Sequence, residues 1–309
     1  MPDPAAPTPA KPAPRPPPAT TEPGPVELKA EQLGKSFGEH VVLRDINTTF
    51  LAGEIVCIVG SSGSGKTVLL DQLIGLVPPT SGRVLAADHN SETENGAPPL
   101  RDLGALSEDD LDLIRLHWAV VFQRNALFSG SVRENIAFWL REHTTLSEDE
   151  IEKRIRESLS AVALDVDDVI DKDRDALSGG MAKRVAIARA IACDPLVMFY
   201  DEPTTGLDPV VSGTIHELIF NLHNRPSGPG FAFRDLDGAQ PARRQQAKRT
   251  AIIVTHDRDL LRRIRPRVVM VDSASVVFDG PYSAFGESSC PAAKAYLAKM
   301  PVLHAREAR

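Results

Sequence analysis

The 309-residue sequence is poor in cysteine. Cys57, Cys193 and Cys290 stand far apart, and no CxxC pair occurs. This excludes a disulfide framework and a cysteine-based zinc site, and it fits a reducing compartment. Cys57, within the apolar run EIVCIVG, reads as a small buried hydrophobe. Long apolar runs are missing too. No stretch approaches the roughly 18 apolar residues that a membrane-spanning helix needs. A role at a membrane therefore requires another subunit to provide the anchor. The N-terminus lacks the apolar segment of a signal peptide. Positive charge is also in short supply, with 35 Lys and Arg against 42 Asp and Glu, a net charge of -7. That balance argues against broad nucleic-acid binding, so no nucleic-acid partner is expected.

Residues 1–25 are almost entirely Pro, Ala and Thr with a few charges. Such a segment cannot bury enough apolar surface to fold, and it reads as a disordered, partly polyproline extension. It is either a passive tail or a ligand for a proline-binding domain.

From Val26 the texture changes. VELKAEQLGKSF and HVVLRDINTTFLAGEIVCIVG read as short strands leading into a buried strand. KTVLLDQLIGLV has helical apolar spacing, and GRVLAAD reads as a further strand. Residues 89–106 are polar and are expected to be a surface loop. SEDDLDLIRLHW and SEDEIEKRIRESLSAVAL each open with a capping serine followed by acids, a helix start. LVMFYDEP and TAIIVTHD have the form of central parallel strands. RVVMVDSASVVFDGP reads as a terminal strand pair. Residues 224–249 are rich in Gly, Pro and Arg without a period, and are expected to be an inserted surface loop.

GSSGSGKT, residues 60–67, fits G-x-x-x-x-G-K-[ST] with a buried strand before it and a helix after it. The residues are Gly60, Ser61, Ser62, Gly63, Ser64, Gly65, Lys66 and Thr67. The glycines let successive backbone N–H groups point inward at phosphate oxygens, and the following helix adds its positive end. Lys66 should reach the β- and γ-phosphates of ATP, and the Thr67 hydroxyl should ligate Mg²⁺. LVMFYDE supplies the complement, with Asp201 placed for Mg²⁺ and Glu202 placed to hold an attacking water. Glu202 separates a hydrolase from a module that only binds nucleotide.

A second glycine pair, in ALSGGMAKR, raises the question of whose phosphate it would hold. LSGGM at residues 177–181 resembles the signature motif of ABC-transporter ATPases. Other family motifs follow in the family's order: Gln123 in VVFQRNALF at the Q-loop, TTGLDP at the D-loop, His256 in IIVTHD at the switch. Phe37 in KSFGEH stands where the family places an aromatic against adenine. The resemblance covers roughly residues 26–286, leaving 287–309 as a C-terminal extension. It implies an α/β fold: a P-loop NTPase with a RecA-like parallel-sheet core, an antiparallel β subdomain and an inserted α-helical subdomain at about 124–177.

The same resemblance answers the question. In this family two cassettes pack head to tail, and the signature of one faces the ATP of the other. Ser178, Gly179 and Gly180 would then hold a partner's γ-phosphate, and a chain with one cradle and one signature should form a homodimer. Glu202 would orient water, His256 would touch the γ-phosphate, and Gln123 would touch the Mg²⁺ region and begin the segment meeting an integral membrane permease. FQRNALFSGSVRENIAFWLREHT, together with Met181 in the signature, resembles the ATPases of Mla/Mce-type phospholipid transporters. That implies an Mce-domain lipid-binding partner and a peripheral place on the cytoplasmic side of the inner membrane. In that stretch Val132, Ile136 and Leu140 have core spacing, while Phe128, Arg133 and Trp139 are candidates to face the permease. Two other readings stay open: the ATPase of another importer or exporter, for amino acids or lipoproteins, and a soluble cassette protein. The single cassette and the lack of a long coiled coil weigh against the last.

Overall fold

The computed structural model describes residues 24–93, 95–224, 232–234 and 249–299. Residues 1–23 of the expected 1–25 tail and most of the 224–249 segment lie outside them. Two sheets organise the chain. β1 (Val26–Phe37) pairs with β2 (His40–Leu51) on one side and β4 (Ser81–Ala87) on the other. With β5 (Leu100–Asp102) they make an antiparallel sheet of order β2-β1-β4-β5. The second sheet has the order β10-β9-β3-β8-β7-β6. Its strands are β3 (Ile55–Val59), β6 (Trp118–Val121), β7 (Val197–Asp201), β8 (Thr250–Val254), β9 (Arg267–Asp272) and β10 (Ser275–Pro281). β9 through β6 run parallel, and β10 is antiparallel to β9.

The central strands read as continuous apolar runs because both faces are covered. In β3, Cys57 and Val59 enter one core while Val56 and Ile58 enter the other. In β7, Met198 and Tyr200 divide from Val197 and Phe199 in the same way. One core includes the helical subdomain and the other lies under the antiparallel sheet, so the parallel sheet is the shared wall.

The helices are α1 (Lys66–Leu73), α2 (Glu108–Arg115), α3 (Val132–His143), α4 (Glu148–Ala161), α5 (Val166–Val169), α6 (Gly179–Ala192), α7 (Pro209–His223), α8 (Arg258–Ile264), α9 (Tyr282–Gly286) and α10 (Pro291–Lys299). α3 and α4 each start with a complete capping box, Ser131 with Glu134 and Ser147 with Glu150, which satisfies two otherwise orphaned donors at each end. α7 starts with Asp208 as cap and Pro209 inside the first turn. α3 and α4 pack on each other and on α6. Val132, Ile136 and Leu140 are fully in that core.

Three expectations change. Residues 89–106 are not only loop: β5 pairs Leu100 with Ala87 and Asp102 with Leu85. This three-residue edge strand is too short and too exposed to leave a period in the sequence. The helix beginning at Ser107 ends at Arg115, and His117 and Trp118 turn into β6, a strand hidden between helix and loop motifs. Arg133 is not free for a partner, because its guanidinium pairs with Glu152 and Asp171 within the helical subdomain.

Residues 232–234, inside the expected surface loop, are strapped to the end of α3. Thr145 N donates to Ala232 O at 3.1 Å and Arg234 N to His143 O at 3.0 Å. Arg234 Nε donates to Thr144 O at 2.6 Å. Phe233 is 6% exposed and meets the rings of His117 and Trp139 edge-on at 5.5 and 6.2 Å.

Candidate active site

The cradle follows directly from β3. The chain leaves Val59, turns through residues 60–65, and enters α1 at Lys66. Gly65 caps α1 at φ +96°, and a Cβ there would lie 2.9 Å from Leu43 Cδ2 and 3.0 Å from Val42 O. Glycine is required at that corner on both counts. Lys66 Nζ donates to the carbonyls of Gly60 and Ser61 at 3.0 and 2.9 Å. Burial pulls its pKa below the ordinary lysine value, while Glu202 and Asp201 oppose that shift. Ser64 Oγ is buried and unpartnered among the described atoms.

β7 ends in Asp201, and Glu202 follows at φ +47°. A left-handed glutamate is an uncommon conformation that surrounding structure must hold. Here Glu202 N donates to Val254 O at 2.9 Å, fixing the carboxylate at the strand tip. Its Oε2 lies 2.8 Å from His256 Nδ1 and accepts from Thr205 Oγ1 at 3.2 Å. The Glu202 hydrogen bond raises the pKa of His256. Asp201 is buried, and its pKa rises to about 6, chiefly from burial and then from the Glu202 charge beside it. Asp201 Oδ1 has no partner among the described atoms. A buried carboxylate oxygen without a donor suits a hard divalent cation or its water.

Gly60, Ser61, Lys66, Thr67, Gln123 and Glu202 line one cavity of about 690 Å³, together with Ser62, Gly63 and His256. The sequence therefore found a real convergence from four separated segments. Of the expected site residues, Ser64, Gly65 and Asp201 do not line this cavity, and neither do the signature residues or Phe37. Ser178 caps α6 through Met181 N at 3.3 Å, and Ser178 and Gly179 are exposed. Phe37 ends β1 at 53% exposure, with Lys35 Nζ 5.0 Å from its ring centroid.

Two contributors were not foreseen. Ala292, Ala295 and Tyr296 of α10 form part of the cavity wall, and the Tyr296 hydroxyl lies 3.4 Å from Thr255 O. Lys183, in the basic helix after the signature, is buried and donates to the carbonyls of Phe122 and Gln123. The signal was there: Lys183 falls on the stripe of Ile187 and Ala190, so its side chain must find acceptors inside. Arg174 Nη1 reaches Leu127 O at 2.8 Å, Arg189 Nη1 reaches Ala126 O at 3.0 Å, and Asn135 exchanges two bonds with the Phe128 backbone. The segment after Gln123 is thus held along its whole length. It presents Phe128 and Phe138, 41% and 56% exposed, with ring centroids 5.4 Å apart.

Comparison with known proteins gives a consistent picture. The family model described as "ABC transporter" matches residues 43–205. The probable ribonucleotide transport ATP-binding protein mkl of Mycobacterium tuberculosis (strain ATCC 25618 / H37Rv) is 33% identical over 282 residues, 90% of this chain and 69% of its own length. The chloroplastic protein TRIGALACTOSYLDIACYLGLYCEROL 3 of Arabidopsis thaliana is 31% identical, covering 86% of this chain and 72% of its own. The histidine transport ATP-binding protein HisP of Pseudomonas aeruginosa is 31% identical, covering 88% and 97%. Among solved structures, the dimeric post-hydrolysis state of the cassette MJ0796 bound to ADP and Pi superposes with a TM-score of 0.63. It is 26% identical and covers 82% of this chain and 98% of that one. The described residues contain no helix long and apolar enough to cross a membrane.

Proposed function

Because the chain belongs to the ABC transporter ATPases, whose cassettes hydrolyse ATP, we propose that it is the motor subunit of a lipid transporter. It would work as a homodimer against a membrane permease joined to an Mce-type lipid-binding protein. The observation that carries the partner half of this reading is the Phe128–Phe138 pair. It is exposed on a segment whose backbone is held by Lys183, Arg174, Arg189 and Asn135. An aromatic pair kept rigid and open to solvent suits an interface anchor. The permease-facing stretch resembles those of the phospholipid systems, and one relative bears the name of a glycolipid. A cytoplasmic-face, peripheral location follows from this reading.

The chemistry assigned to the chain is in-line transfer of the γ-phosphoryl group to water. Backbone N–H groups of residues 60–65 and the Lys66 ammonium bind the phosphates. Asp201, Thr67 and Gln123 would hold Mg²⁺, which supplies charge neutralisation on the β- and γ-oxygens. Glu202 positions water, and His256, its neighbour at 2.8 Å, bonds the γ-phosphate. Phe37 stacks on adenine. Ser178 and Gly179 are exposed and do not line the chain's own cavity. With Gly180 they close the site of a second copy, and the start of α6 directs a positive helix end at that phosphate.

HisP covers 97% of its own length in the comparison, and mkl is named for ribonucleotide transport, so a cassette for polar solutes is the second reading. Mild-detergent capture of the chain from its native membrane, with identification of co-purifying proteins and lipids, separates the two. A permease with an Mce-domain protein and bound phospholipid is the expected result. A solute-type permease without lipid would leave the ATPase chemistry standing and remove the lipid role.

A further inference from the structure

α7 buries the face formed by Ser212, Ile215, His216, Ile219 and Leu222. α7 buries two histidines, His216 and His223, and His216 is 4% exposed. A buried imidazole is costly unless its N–H is satisfied. His216 Nε2 lies 2.8 Å from Asp257 Oδ2, and the same oxygen accepts the Thr204 hydroxyl at 2.8 Å. The other oxygen, Oδ1, accepts from Asp259 N and Leu260 N at 2.9 and 3.1 Å, capping α8. Both partners of Oδ2 are buried, and the carboxylate is saturated on both sides.

The sequence positions give this network its interest. Thr204 lies two residues after Glu202, and Asp257 follows His256 directly. One carboxylate therefore joins the two backbone segments that carry the 2.8 Å Glu202–His256 contact. His216 itself does not line the cradle cavity. It lines a second cavity of about 690 Å³, whose charged groups are Glu217 on α7 and Asp257, Asp259, Arg262 and Arg263 around α8. Arg263 is engaged there by Glu217 and by Gly213 O.

We propose that His216 is a positioning residue for ATP hydrolysis, setting the Glu202–His256 geometry from behind through the shared Asp257 carboxylate. The inference rests on the ATPase reading of the cradle and on no assumption about what is transported. His216 supplies the donor that keeps Oδ2 turned toward Thr204 and away from solvent. Without it the carboxylate can rotate off the hydroxyl, and the peptide linking His256 to α8 loses its fixed orientation. Small misplacements of a reacting group carry large rate penalties.

The test uses the full chain with two substitutions. His216→Leu removes the donor at similar bulk. His216→Gln returns an amide N–H at nearly the position of Nε2. We expect His216→Leu to lower kcat about tenfold or more, with KM for ATP and the affinity for a fluorescent ATP analogue within about twofold, since the residue touches no nucleotide. His216→Gln should restore most of kcat. A leucine variant as fast as the wild type overturns the proposal. So does a glutamine variant as slow as the leucine one, or a loss that falls on nucleotide affinity instead of turnover. If the leucine variant does not fold, His216→Asn replaces it, its amide being too short to reach Oδ2. Hydrogen exchange at residues 255–260 supplies a second readout: exchange should accelerate in the leucine variant and stay near wild type in the glutamine one, and equal exchange in both overturns the link. A wild type that does not hydrolyse ATP under conditions where it binds would sink the ATPase reading. The exchange measurement would still judge the His216 connection.

Discussion

Lys183 and Gln123, 60 residues apart in sequence, are joined at 2.9 Å from ammonium to backbone carbonyl. Lys183 sits in the second turn of α6, whose first residues are Gly179 and Gly180, and Gln123 lines the cavity at the cradle. The second bond from Nζ, to Phe122 O at 3.0 Å, makes the link two-pronged. On the proposed function, a shift of Gln123 toward a bound nucleotide would pull on the second turn of α6 through this link.

Lys183→Met removes the donor from the Phe122 and Gln123 carbonyls. Removing a charged donor of this kind costs about 1.5–3 kcal/mol. Chemical denaturation should show a loss in that range, with reduced ATP turnover. Unchanged stability would mean that water replaces the ammonium and that the link carries no load.

Glu202→Gln keeps the shape of the strand tip and the Glu202 N to Val254 O bond but removes the charge that orients water. ATP binding, followed by a fluorescent analogue, and ATP-dependent dimerisation, followed by light scattering, should persist. Turnover should fall about a hundredfold or more. Near-normal turnover would reject Glu202 as the water-orienting group.

Burial alone would push the Asp257 carboxyl up, yet the His216, Leu260 and Thr204 hydrogen bonds hold it down at about 2, against an ordinary value of 3.8. An acid whose folded pKa is depressed contributes stability above its unfolded value, and that contribution disappears as pH falls through the folded value. The window is therefore from about pH 4 down to about pH 2, and the amount is roughly 2 kcal/mol. Guanidinium unfolding of the wild type and of Asp257→Asn, compared at neutral pH and near pH 2, should show the gap between them closing by that amount. A gap independent of pH would assign the carboxylate a purely steric role.

Phe233→Ala removes a ring enclosed by His117 and Trp139. Truncation of a buried phenylalanine costs about 3–5 kcal/mol. Denaturation should register a loss toward the lower end, because residues 232–234 form a strap and not a central layer. Cleavage by a protease near residues 225–248 should become faster in the same variant.

The cradle, the strand-tip carboxylates and the switch histidine were legible because each is a local pattern: glycines at fixed spacing, or a polar residue ending an apolar run. The convergence of residues 60–67, 123, 202 and 256 on one cavity follows from strand order. The central strands were legible too, since burial on both faces leaves an unbroken apolar run. β5 and β6 were hidden, the first by its three-residue length and edge exposure, the second because Trp118–Val121 lies between two louder motifs. Lys183, His216 and Tyr296 belong to a different category. Each acts through partners about 40 to 60 residues away in sequence, and no local pattern announces such a pairing. Arg133 shows the converse. It had the look of an interface residue, and two carboxylates on neighbouring elements had already claimed it.

The strap at residues 232–234 bears on how the chain is made. The helical subdomain is begun at about residue 124, but the Thr145 N–H and the His143 carbonyl gain their backbone partners Ala232 and Arg234 only once those residues have been synthesised. Between those points the ribosome must deliver the signature helix, β7 and α7. The subdomain therefore reaches its final form only after β3, β6 and β7, half the strands of the second sheet, have been made. It should then be lost together with that sheet in a single unfolding transition, and not melt first as a detachable unit.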